Sequence, residues 1–123
     1  MAALDKRVLT FNVEDNAAGT GSTYPLLIAD RKMDIREINF ASKTTTAAHA
    51  SNYVTVALKN GSDTIGSATT VTVLTAAVFR ALTLTAANIR VSAGDTLTLV
   101  LTHSGTGAAT DGLVVQIEAD PVE

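Results

Sequence analysis

The feature that most constrains this chain is a set of short runs in which apolar and polar residues alternate one by one. A period of two sorts side chains onto two faces only when the backbone is extended, so these runs predict strands. In Thr96 to His103 the leucines at 97, 99 and 101 fall on one side, with Thr96, Thr98 and Thr102 on the other. Val54, Val56 and Leu58 form a second row, Leu113, Val115 and Ile117 a third, and Leu9, Phe11 and Val13 a fourth. The core is therefore expected at Leu9, Phe11, Val54, Val56, Leu58, Leu97, Leu99, Leu101, Val115 and Ile117.

Between the rows lie turn signals. Asn60-Gly61 is a hairpin signature, because both residues tolerate a positive φ. Ala93-Gly94-Asp95 reads as a turn, and Pro25 predicts an edge or strand-start position for Tyr24 to Ile28. Met33 and Ile35 share one parity and Ile38 and Phe40 the other, so an inserted bulge at Arg36-Glu37 is needed to bring all four to one face. Residues 41–51 have no period and read as a long surface loop. A further strand is expected at 71–74. Residues 75–87 are ambiguous: Val78 and Leu82 suit a helical turn, but Thr-rich alternation at 82–85 favours strand.

The tally is eight or nine short strands in one all-β domain. No amphipathic helices alternate with them, which disfavours a parallel sheet and points to an antiparallel β-sandwich of jelly-roll type. The expected layout is an N-terminal arm at 1–7 and a β-sandwich at 8–120. Composition agrees: among 123 residues there are 20 Ala and 19 Thr but only four Lys and four Glu, a balance that suits pleated strands over solvated helices.

Several function classes are poorly supplied. A net charge of −3 does not favour neutralising phosphates, so no nucleic-acid partner is expected. No apolar run reaches the roughly 18 residues of a membrane helix, and no secretory signal is legible at the N-terminus. Absent cysteine removes disulfides and thiolate metal sites. His103, Ser104 and Asp111 are the nearest approach to a hydrolytic set and His49 lies apart, but nothing places a nucleophile beside a base. No catalytic residue, metal ligand or cofactor is expected. Asp63, Asp95 and Asp111 read as turn formers rather than calcium ligands. Tyr24 and Tyr53 offer a sparse platform for a sugar.

Three stretches carry a family resemblance: Asn52-Tyr53-Val54-Thr55-Val56-Ala57-Leu58-Lys59-Asn60-Gly61, the run from Leu84 to Leu99 with its Ala93-Gly94-Asp95 turn, and Thr102-His103-Ser104-Gly105-Thr106-Gly107. The combination resembles the small head-decoration (cement) proteins of tailed bacteriophages over roughly residues 50 to 118. The resemblance implies a structural, non-enzymatic subunit, often a homotrimer. Such a subunit assembles in the host cytoplasm, sits on the outer surface of the virion and stabilises the shell by binding the major capsid protein. Leu4, Asp5, Lys6 and Arg7 are the candidate capsid-docking arm. The alternative is a receptor- or glycan-binding jelly-roll module of a phage fibre or lectin.

Overall fold

Ten strands and one turn of 3-10 helix make up the chain in the computed structural model, which describes residues 6–122. Strands β1 (Arg7–Val13), β3 (Met33–Ala41), β6 (Arg80–Ala81), β8 (Arg90–Val91) and β10 (Leu113–Pro121) form one antiparallel sheet in the order β1-β10-β3-β6, with β8 also on β3. The other sheet runs β2 (Ser22–Ile28), β9 (Thr96–Ser104), β4 (Tyr53–Asn60), β5 (Asp63–Thr69), β7 (Thr83–Leu84). The pairings are nested: β1 with β10, β2 with β9, β3 with β8, and β4 with β5 at the centre. A long hairpin rolled up in this way, with its strands shared between two packed sheets, is a jelly roll.

The alternating rows meet between the sheets. Val54, Val56, Leu58, Leu97, Leu99, Leu101, Val115 and Ile117 are all buried, as are Ile65 and Leu113. Leu9 and Phe11 face the same interior but stay half-buried, because β1 is an edge strand. The phase change in β3 is a bulge: Glu37 stands opposite Glu118 and Ile35 opposite Ala119, leaving Arg36 as the extra residue. With that insertion Met33, Ile35, Ile38 and Phe40 are all buried.

Pro25 lies on β2, an edge strand whose register shifts between Pro25 and Leu27. The hairpin tip falls one residue later than expected. Asn60 remains in β4 opposite Asp63, and Gly61-Ser62 make the turn with a positive φ at Gly61 alone. A glycine in the first turn position is the pattern of a type II′ turn, in which Asn60 needs no unusual backbone.

Two expectations give way. Residues 71–74 form no strand; Leu74 makes a single bridge to Thr46. The stretch at 75–87 is neither one helix nor one strand. It turns at 75–77, contributes β6 to one sheet, buries Leu82, contributes β7 to the other sheet, and ends in the 3-10 turn at Ala86–Asn88. This segment straps one side of the sandwich by crossing between the two sheet edges. The sheet also takes in Arg7, assigned to the arm by sequence, and runs on to Pro121.

Candidate functional site

The rolled hairpin puts four long connections at one end of the sandwich: residues 14–21, 42–52, 70–79 and 105–112. They carry only four charged side chains, Glu14, Asp15, Lys43 and Asp111. Loops on a rigid frame are where binding residues concentrate.

Asn16 is the centre of this end. It is buried, its backbone bridges Thr110 in both directions (2.8 and 2.9 Å), and its amide nitrogen donates to the Thr20 carbonyl and the Ser22 hydroxyl. His103 Nε2 lies 2.7 Å from Asn16 Oδ1, while Nδ1 accepts from the backbone N–H groups of Gly19 and Ala108. With Nδ1 accepting, the ring proton belongs on Nε2, where Asn16 Oδ1 receives it. Gly107 has φ +70, and a Cβ there would run into the His103 ring. His49 Nδ1 accepts from the N–H groups of Ser51 and Asn52, and Asn52 Oδ1 accepts from Thr106 N. Both histidines thus hold loops together.

Asp111 accepts from the Thr44 hydroxyl, 3.1 Å away. His103 and Asp111 are therefore committed to different partners, and the set His103, Ser104 and Asp111 is not assembled by hydrogen bonds. Asp95 accepts from Ser92 N and the Asn60 amide, which hold its carboxyl below the usual range. Among the described residues no three His, Asp or Glu side chains converge as a metal site. No helix among them is long and apolar enough to cross a membrane.

Two clefts open at this end. One, about 410 Å³, lies between residues 45–49 and 106–109 and is walled by Thr and Ala with His49 and Asn52. The other, about 300 Å³, is lined by Ala41, Lys43, Ala77, Phe79, Gly112 and Val114. Beside the second cleft the 70–79 connection displays apolar side chains: Val71, Val73, Val78 and Phe79 are each between 43% and 54% exposed. Ala77 has φ +58, a left-handed conformation that costs a non-glycine residue roughly 1–2 kcal/mol. Ala77 N donates to Ser42 O and Arg80 donates to Thr72 O, and these bonds fix the turn. The Arg80 guanidinium also lies over the Phe40 ring, 5.9 Å from its centroid. The strained turn therefore points Val78 and Phe79 into solvent, and composition gave no sign of it.

Of the docking residues expected from sequence, Leu4 and Asp5 lie outside the described residues. Lys6 is ion-paired to Glu118 at 2.6 Å and Arg7 to Asp30 at 2.7 Å, both at the opposite end from the four loops. Tyr24 packs against the core, and Tyr53 is half-buried at the start of β4. No family model, curated protein or solved structure matches the chain.

Proposed function

We propose that this protein is a non-catalytic capsid-decorating subunit, which binds the outer surface of a phage capsid shell and stabilises it. The observation that carries the reading is the exposure of four apolar side chains, Val71, Val73, Val78 and Phe79, along the 70–79 connection, which itself carries no charged residue. Exposed apolar groups on a stiff frame suit a protein partner, and aromatic anchors dominate such interfaces. The family resemblance over residues 50 to 118 supplies the class of partner, the major capsid protein. Copies joined to one another, as in the homotrimer the resemblance implies, make modest single contacts sufficient, since linked sites bind with avidity.

Co-sedimentation with expanded capsids of the phage whose genome encodes the chain tests this. Val78→Ser with Phe79→Ser should weaken binding by about tenfold or more. Deleting residues 2–7 tests the arm separately, and a larger loss there moves the contact to the arm. Wild-type protein that leaves the capsids unoccupied would overturn the proposal. The glycan-binding alternative is less well supplied, because Tyr24 is turned to the core; binding on a glycan array would revive it.

A further inference from the structure

The two sides of the sandwich are finished differently. One is strapped by residues 80–91, which pass between the sheets as β6, Leu82, β7, the 3-10 turn and β8. Their backbone bonds Leu82 N to Ile38 O, Thr85 N to Ile65 O and Ile35 N to Ile89 O close that side. On the other side β1 and β2 are both edge strands among the described residues.

Those two edges differ in turn. β2 carries Pro25, which has no N–H, and a break in register, two of the devices by which proteins blunt an edge. β1 has neither. Its seven residues contain no Pro or Gly and pair with β10 in unbroken register from Arg7 opposite Ala119 to Val13 opposite Leu113. An edge strand of this length and regularity leaves a row of backbone donors and acceptors suited to adding another strand.

The geometry points to a second copy of this chain as that strand: β1 pairs antiparallel with β1 of another molecule about a two-fold axis at Thr10. Full overlap of the seven residues allows one register, with Arg7 opposite Val13, Val8 opposite Asn12, Leu9 opposite Phe11, and Thr10 opposite itself. Directly opposed residues in an antiparallel pair share a face, so this register keeps the inner rows of both molecules together. Leu9 of each copy then meets Phe11 of the other, and both are half-buried in the single chain.

Charge agrees with the same register. The residues flanking the overlap are Lys6 and Glu14, both exposed, and pairing brings Lys6 of each copy opposite Glu14 of the other. Lys6 then sits between that carboxylate and its own partner Glu118. The contact is isologous, each patch meeting itself, which makes a closed pair. It stands independently of the capsid reading and predicts two-fold association through this edge, where the resemblance implies a trimer.

Sedimentation velocity on the full chain, with charge variants, tests it. The wild type is expected to form a dimer of 12.7 kDa chains. Lys6→Glu alone sets two carboxylates against each other at both ends of the overlap, and Glu14→Lys alone sets two ammonium groups there. Each variant should therefore dissociate about tenfold more readily. Mixed one to one, the two variants become complementary and should recover the dimer as a heterodimer. That recovery also shows that both single variants are folded. A wild type that stays monomeric up to millimolar concentration, or forms trimers, would overturn the proposal. So would a dimer indifferent to both substitutions, or a mixture that stays dissociated.

Discussion

The two ends of the sandwich solve the same problem with different chemistry. At the end holding the β2–β3 and β4–β5 turns the connections are short and the links are ionic. Arg7 pairs with Asp30, Arg36 with Asp120, and Arg90 with Asp34, which is itself buried. At the other end four long connections are held mainly by neutral groups, the exceptions being Asp15, which accepts from Gly112 N, and Asp111, which accepts from the Thr44 hydroxyl. Buried Asn16, Thr46, Thr70 and Thr110 lie there, with Thr46 donating to Ala109 O and Thr70 accepting from Val54 N. Polar groups buried in a loop need partners close at hand, and Asn16, Thr46 and Thr70 find them through short neutral side chains with little desolvation penalty. The Thr110 hydroxyl has no partner among the described residues, and Thr110 is held by its backbone bonds to Asn16. Charged side chains are thus few at the loop end, where most links are neutral hydrogen bonds.

Leu99 is fully buried between the sheets, and Leu99→Ala should cost about 2–5 kcal/mol in a denaturant melt, loosening both ends together. Asn16→Ala should cost about 1–3 kcal/mol, since it strands the His103 ring, the Thr20 carbonyl and the Ser22 hydroxyl. Hydrogen exchange should rise in residues 16–21 and 103–110 and leave the turn end unchanged; a uniform rise would refute the division.

Gly61→Val should cost roughly 1–2 kcal/mol at the turn end. A Cβ at Gly61 meets nothing within 4 Å, so the whole effect is backbone conformation at φ +60, and Gly61→Asn should recover part of it.

Acid should separate the ends chemically. The Arg90 hydrogen bonds hold Asp34 below the usual carboxylate range, the Arg7 bond does the same for Asp30, and the Ser92 N–H leads for Asp95. A carboxyl whose folded pKa is depressed stabilises the fold above its unfolded value, near 4, and loses that contribution as pH falls through the folded value. Stability should therefore decline below about pH 4, and Asp34→Asn should flatten the decline. The smallest effect has the opposite sign: Ala77→Gly should stabilise by about 0.5 kcal/mol, because relief of the left-handed strain slightly exceeds the added chain entropy.

Much of the frame was legible because it rests on local pattern. The inward rows, the edge position of Pro25 and the bulge at Arg36 each follow from parity or from one residue's chemistry. The bulge is the clearest case, since Ile35 and Ile38 cannot share a face without an inserted residue. The loop end was not legible. Residues 41–51 read as a long surface loop, yet Ala41 ends β3 and is buried, and Thr46 is buried because Leu74 and Ala109 come to meet it. His103 finds Asn16 across 87 positions, and no local spacing encodes such a contact. The split of 80–84 between two sheets was hidden for the same reason: two-residue strands take their identity from the neighbours they touch.

The nested pairing has a consequence for how the molecule is made. β10 is the last strand in chain order, yet it lies between β1 and β3, so one sheet stays in two pieces until it arrives. The β4–β5 hairpin at the centre closes a loop of only two residues, whereas β1 must wait for a partner more than a hundred positions away. Loop-closure entropy orders these events from the centre outward and makes refolding slow, on the order of milliseconds to seconds. Until β10 docks, β1 presents two open edges instead of one. During synthesis, crowding of unfinished chains is therefore the hazard against which this topology has least protection.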